Sequence, residues 1–230
     1  MKRLVVLDTE TTGLDVNDGH RIIELGCVEI IDRNITSNNF HQYINPKRVI
    51  DEGAQKVHGI SNEMLEGKPE FISIIDEFLA FIQNSTLVIH NAPFDIGFLA
   101  SELLYCGREK NYFEQNHEIL DTLTISRKQY PGKRNSLDAL CTRLDVDNTD
   151  RNFHGALLDA NLLANVYLKM TRGQTSLSMS EKEEYLNSND MEHDITKRNQ
   201  IIIKADNEEI DAHNSYCLLY TSPSPRDETK

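Results

Sequence analysis

Leu4-Val5-Val6-Leu7-Asp8-Thr9-Glu10-Thr11-Thr12-Gly13 sets the reading of the whole chain. Four consecutive apolar residues followed by a Thr/Gly-rich turn form the pattern of a short buried strand. Side chains alternate along a strand, so Asp8 and Glu10 fall on the same side. Two carboxylates crowded at the end of an apolar strand repel each other and lose hydration, a cost that a cation between them relieves. A strand running out into a polar turn is the ordinary alternative for the same string.

The bulk properties bound what can surround that strand. The chain has 230 residues, 39% hydrophobic and 27% charged, which supports one sizeable α/β domain with an appendage. No apolar run approaches the ~20 residues needed to span a membrane. Met1-Lys2-Arg3 leads into a strand and not a signal peptide, so a bacterial-type cytoplasmic protein is expected. Cys27, Cys106, Cys141 and Cys217 show no metal-ligand or redox spacing. The first three lie among apolar neighbours and read as reduced core residues. A net charge of −13 argues against a protein that coats DNA, though not against an enzyme acting on a strand end with cations and a few local basic groups. Lys128, Lys133 and Arg134 form such a basic cluster, and an ordinary solvated loop would look the same.

Strands and helices alternate through the first half of the chain, with further helices after it. After residues 4–7, strands are expected at 21–31 and 40–44, joined by short returns as an antiparallel meander. Apolar residues at helical spacing (Phe71, Ile74, Ile75, Phe78, Leu79, Ile82) predict a helix over 71–83. A short strand at 87–89 follows, then a helix from about 94 to 106 and a fifth strand within 118–125 that leads into a helix. Ser136 caps a helix over 136–144, and 155–170 is the best-defined helix of all. The fold class is α/β, a mixed five-stranded sheet flanked by helices, with a flexible C-terminal tail. Composition changes at Gly173, and 181–200 is polar and acidic without apolar periodicity, as in a flexible linker.

Three later positions extend the Asp8–Glu10 pair. Asp95 follows Ile89-His90-Asn91-Ala92-Pro93-Phe94 at a strand-to-helix junction, with Phe98 and Leu99 three and four residues on. An acid in a first helical turn is favourable in itself, which is the ordinary account of Asp95. Asp159 lies on the apolar stripe of its helix among Gly155, Leu162, Leu163 and Val166, where a lone carboxylate needs a partner and a metal is an economical one. His154 sits just before that helix. Near a helix start a histidine is usually a surface residue, but five residues from Asp159 it is a candidate general base. Four carboxylates and one histidine suggest two divalent cations about 3.5–4 Å apart, clamping the attacking and leaving oxygens of a phosphodiester. Oxygen ligands favour Mg2+ or Mn2+ over zinc.

In this order D-T-E-T-T-G, H-N-x-x-F-D and H-x-x-x-x-D resemble the three motifs of the DEDD-type 3′–5′ exonucleases, in the variant with a histidine before the last aspartate. V-H-G-I at 57–60, P-G-K-R-N-S-L-D-A-L-C at 131–141 and H-G-A-L-L-D-A at 154–160 resemble, more narrowly, the epsilon proofreading subunits of bacterial DNA polymerase III. The resemblance covers residues 1 to about 170. It implies a ribonuclease H-like fold and removal of mispaired 3′-terminal nucleotides as deoxynucleoside monophosphates from a single-stranded or frayed DNA end. It also implies that Asp8, Glu10, Asp95 and Asp159 hold the two cations and that His154 deprotonates the attacking water. With Asp8, Glu10 and Asp159, Thr11, His58 and Phe94 would meet the terminal nucleotide. Core packing for Phe94 and a structural turn for His58 are the plain alternatives. One departure is Gly53, with Glu52 beside it, where close relatives tend to carry a glutamate.

The resemblance divides the chain into an exonuclease domain at 1–173, a candidate sliding-clamp-binding peptide at 174–179, an acidic linker at 180–200 and the start of a polymerase-docking segment at 201–216. In the peptide, Gln174 precedes the apolar anchors Leu177 and Met179. The implied partners are the polymerase III catalytic subunit, the sliding clamp and a small accessory subunit. Residues 217–230 look foreign, because Cys217-Leu218-Leu219-Tyr220-Thr221-Ser222-Pro223-Ser224-Pro225-Arg226-Asp227 reads as the translated adapter of a transposase-based sequencing library. The native frame is therefore expected to be cut near Tyr216 and the docking segment truncated, which sequencing the gene from intact genomic DNA would check; an ordinary disordered tail is the plain alternative. Two other functions compete: an exoribonuclease using the same five residues, and a catalytically idle tether between polymerase and clamp.

Overall fold

The computed structural model describes residues 3–149, 151 and 153–172. Strands β1 (Arg3–Thr11), β2 (Ile22–Ile31) and β3 (Asn34–Tyr43) form the antiparallel meander. Two short helices follow, α1 (Glu52–His58) and α2 (Asn62–Leu65), then α3 (Phe71–Ile82) and β4 (Thr86–Ile89). The chain continues through α4 (Ala92–Tyr105), α5 (Tyr112–Asn116), β5 (Ile119–Asp121), α6 (Thr122–Gln129), α7 (Leu137–Leu144) and α8 (Ala156–Met170). The sheet order is β3-β2-β1-β4-β5, with β4 parallel to β1 and β5 parallel to β4, so the expected mixed five-stranded sheet is present.

Alternation along β1 sorts the core into two layers. Val5 and Leu7 face α3 and α4, where Phe71, Phe78, Phe98 and Leu99 pack. Leu4 and Val6 face α7 and α8, against Leu140, Leu163 and Val166. Asp8 and Glu10 continue the second row, so the strand directs both carboxylates toward the α8 side. The strand is longer than its apolar run. It extends to Thr11 because β2 continues the ladder, with Glu10 opposite Glu24 and Thr11 opposite Ile22.

The approach of α8 to the sheet depends on Gly26. A Cβ there would lie 2.3 Å from backbone atoms of Ala156 and Leu157, so only glycine lets the first turn of α8 reach β2. Two residues away, Glu24 Oε2 accepts the Ala156 N–H at 3.1 Å. This supplies the helix cap that Gly155, lacking a side chain, cannot provide. Glu24 Oε1 meets His41 Nε2 at 2.6 Å, so this buried carboxylate is partnered on both oxygens. The joint sets the height of Asp159 above β1. Gly26→Ala is expected to cost at least about 2 kcal/mol, since backbone has to yield, and to lower nuclease activity by shifting α8. Thermal melts paired with digestion rates would check both effects.

The predicted elements differ from the observed ones in definable ways. The third strand begins at Asn34, not 40, and the fifth spans Ile119–Asp121 before α6 begins. The helices α1, α2 and α5 were not anticipated. Cys27 and Cys141 are buried and reduced as expected, while Cys106 is half-buried. No helix among the described residues is long and apolar enough to cross a membrane. The clamp peptide, linker, docking segment and foreign tail lie outside the described residues.

Candidate active site

The carboxyl ends of the parallel neighbours β1 and β4 open onto a cleft, the usual position for a ligand in an α/β sheet. Asp8 and Glu10 enter it from β1, Asp95 from the first turn of α4, Asp159 from the first turn of α8 and His154 from the loop before α8. Glu10, Asp95 and Asp159 are buried, Asp8 is half-buried and His154 is exposed. All five sequence candidates thus line one recess of about 360 Å3.

Local structure explains each placement. Asn91 adopts a left-handed conformation (φ 67°) that turns the chain sharply into α4. Its N–H donates to Asp121 Oδ1, a carboxylate that also caps α6 through the Leu123 N–H. Asp95 then accepts a 2.7 Å hydrogen bond from the Thr9 hydroxyl on β1. His154 donates its backbone N–H to the Val57 carbonyl at 3.2 Å, tying the loop before α8 to α1. Phe153 lies over Gly59, whose φ of +72° ends that helix.

Crowding leaves an electrostatic signature. Burial, followed by the charges of Asp95, Asp159 and Glu10, holds the Asp8 carboxyl well above its usual range. Burial and then Asp159, Glu24 and Asp95 push Glu10 to about 8. Burial raises Asp95 to about 7 against the lowering pull of the Thr9 hydrogen bond. Three carboxyls that resist ionisation at the carboxyl end of the central strands form a donor set suited to cations. Ligand atoms of Glu10, His154 and Asp159 already lie within 4.8 Å of one another. The set fits hard divalent ions held mainly by oxygen.

A residue absent from the sequence reading dominates this corner. Arg151 grips Asp159 through two parallel bonds, Nε to Oδ1 at 2.6 Å and Nη2 to Oδ2 at 2.5 Å. Its Nη1 reaches Asp138 Oδ1 at 2.5 Å, and Nη2 donates to His154 Nδ1 at 3.0 Å. The partner that Asp159 needed is therefore a guanidinium among the described residues. The Asp159 and Asp138 hydrogen bonds raise the Arg151 pKa against burial. Burial and then Arg151 lower that of His154, with Asp159 opposing. Because guanidinium can only donate, the neutral His154 ring carries its proton on Nε2. Arg151 lies three residues before His154 in an aperiodic loop and offered no local signal, whereas Glu24 could have been noticed as an acid interrupting an apolar strand.

A second recess of about 490 Å3 adjoins the first, sharing Thr9, Glu10 and Phe94. Thr11, His58, Val57 and the exposed Leu14 line it. The Thr11 hydroxyl donates to the Gly13 carbonyl, and Phe94 packs on Phe98 at 4.9 Å between ring centres. His58 Nδ1 accepts the Ile60 N–H, which puts the ring proton on Nε2. That buried Nε2 has no hydrogen-bond partner. Burial lowers the His58 pKa, and the nearby Thr11 backbone, short of a hydrogen bond to Nε2, offsets part of that. Gly53 lies on the rim with open space around it, and Glu52 beside it is exposed.

The sheet order, the acid-lined cleft and the histidine loop together define an exonuclease-type α/β domain. Residues 5–167 match the family model described as Exonuclease (RNase_T). The chain is 51% identical over 182 residues to DNA polymerase III subunit epsilon of Salmonella typhimurium, covering 77% of this chain and 75% of the relative. It is 44% identical over 221 residues to the subunit of the same name from Escherichia coli K12, covering 93% and 91%. The chain therefore belongs to the exonuclease family and, within it, to the DNA polymerase III epsilon subunits. Among solved structures it resembles exonuclease X in complex with 5′ overhanging duplex DNA (TM-score 0.56, 26% identity, 74% of this chain and 92% of that one). Exonuclease I shares the fold at 15% identity and TM-score 0.66, over 74% of this chain and 41% of that one.

Proposed function

We propose that the chain is a divalent-cation-dependent 3′–5′ DNA exonuclease that removes mispaired terminal nucleotides for a replicative polymerase. The observation that carries this reading is the convergence of Asp8, Glu10, Asp95, Asp159 and His154 on one cleft beside a nucleotide-sized recess. The relatives' name, DNA polymerase III subunit epsilon, supports the assignment to replication.

In this reading the four carboxylates would hold two cations, Mg2+ or Mn2+, which would supply Lewis-acid neutralisation of charge on the scissile phosphate. The protein's own residues do the rest. Phe94 and Thr11 wall the recess for the last nucleotide, and the unpartnered His58 Nε2–H offers a donor that a nucleotide acceptor would satisfy. His154, whose side chain stands half in solvent, takes a proton from the attacking water, and partial burial together with the Arg151 charge favours its neutral resting form for that task. Thr9 keeps Asp95 aimed at the cleft. Residues 1–173 would constitute the nuclease, and 201–216 would begin the docking segment for the polymerase catalytic subunit. Gln174, Leu177 and Met179 would contact the sliding clamp, with a small accessory subunit as a further partner.

The test is digestion of a mispaired primer with and without Mg2+, alongside an RNA oligonucleotide of the same sequence. The expected result is Mg2+-dependent release of deoxynucleoside monophosphates from DNA. His154→Ala is expected to slow it by about 10²–10⁴-fold. Preferential digestion of RNA would replace the proofreading reading with that of an exoribonuclease, and no digestion of either would leave the tether.

A further inference from the structure

The Arg151 fork has a consequence for how the site is loaded. Its Nε and Nη2 occupy both oxygens of Asp159, the carboxylate that shares ligand distance with Glu10 and His154. The pair is dry, with the Arg151 side chain 6% exposed and Asp159 4%. A divalent cation on the same oxygens would meet the guanidinium charge in a poorly hydrated site, where like charges repel strongly. The third arm of the fork rests on Asp138, which is 56% exposed and outside the carboxylate set of β1, α4 and α8. Arg151 thus has a second seat at the cleft rim.

We infer that Arg151 is a built-in counter-cation: it holds Asp159 while no metal is bound and retires to Asp138 when a divalent cation takes its place. Loading of the site is then an exchange of cations and not a simple addition. The same movement withdraws Nη2 from His154 Nδ1 and frees the lone pair of the neutral ring, which the resting contact consumes. One residue therefore couples the arrival of the cation to the arming of the base. It acts through Asp159 and His154 and is a positioning residue.

This inference rests on the reading that Asp159 is a cation ligand, and calorimetric titration of the full chain with Mn2+ separates the two ideas. No Mn2+ binding by the wild type would remove the cation reading itself. If the wild type binds, Arg151→Gln is expected to bind at least about tenfold more tightly, because no internal cation competes for Asp159, and Arg151→Lys should fall between them. Unchanged or weaker Mn2+ binding by Arg151→Gln would overturn the exchange and make Arg151 a fixed support of the loaded site. Asp138→Asn supplies the second arm, since without its retreat Arg151 should compete harder and weaken Mn2+ binding. That weakening is expected to disappear in the Arg151→Gln background. A persistent Asp138→Asn effect in the double variant would mean only the loss of a nearby negative charge, and would also overturn the proposal.

Discussion

Asp8→Asn is expected to abolish Mg2+-dependent digestion of a mispaired primer while raising the melting temperature of the metal-free chain. The loss follows from the geometry of β1, which aims Asp8 and Glu10 at the α8 side of the sheet as the central pair of the proposed cation ligands. Cation stabilisation of a phosphoryl transition state is worth several kcal/mol, so the rate should fall by about 10³-fold or more. The gain in stability follows from the same crowding. Burial and the charges of Asp95, Asp159 and Glu10 oppose ionisation of Asp8, and Arg151 offsets them only in part. An amide of the same shape carries no charge to repel, and relief of about 1–2 kcal/mol would raise the melting temperature by roughly 2–8 °C. Asp159→Asn sharpens the comparison. It should be equally inactive, but it strips a buried guanidinium of its bidentate partner and should melt below wild type. Opposite shifts from two inactive variants would locate the electrostatic strain on β1. A fall in melting temperature for Asp8→Asn would mean that Asp8 is held by a partner and not merely repelled.

The site was more legible in the sequence than the elements around it. Asp8 and Glu10 declared themselves because an apolar run ended on them, and Asp159 because it interrupted an apolar helical stripe. Both signals are local, and both depend only on the repeat of a strand or a helix. The first half of β3 was not legible, since Asn34 to Asn39 form a mostly exposed edge with Ile35 as their one apolar residue and hence no apolar alternation. The hairpin before it turns through Asp32 and Arg33, both at positive φ, without the glycine that usually marks such a turn. Helices α1 and α2 escaped because each buries a single side chain, His58 and Leu65 respectively. Arg151 is the instructive omission. Its role comes from contacts with Asp138 and Asp159, which belong to two different helices, and no window of sequence contains that geometry. Asp159 was read as a lone carboxylate whose economical partner is a metal, whereas the chain itself sets the Arg151 guanidinium on both of its oxygens.

The stability of the metal-free chain is expected to fall as pH rises from about 4 to about 8, and divalent cations should reverse that loss most strongly at its alkaline end. The sign follows from Glu10 and Asp95. Glu10 moves from an ordinary value of 4.5 to about 8, and Asp95 from 3.8 to about 7. Within that window the folded chain keeps protons that the unfolded chain has released, so raising the pH favours unfolding. The contribution is fully present below the unfolded values and lost as each folded value is passed. Cations compete with the same protons. Melts with and without Mg2+ at about pH 6 and about pH 8.5 should therefore show a larger cation-induced gain at the higher pH. Digestion should respond in parallel, slowing at least about tenfold per unit below roughly pH 7, since a proton must leave before a cation can enter. More than one carboxyl is raised, so the acid limb of the rate profile should be steeper than a single titration, and His154, held low by burial, adds little to it above neutrality. A metal-free melting temperature that stayed flat across the window would show that Glu10 and Asp95 ionise freely, and the case for a cation-demanding cleft would lose its electrostatic basis.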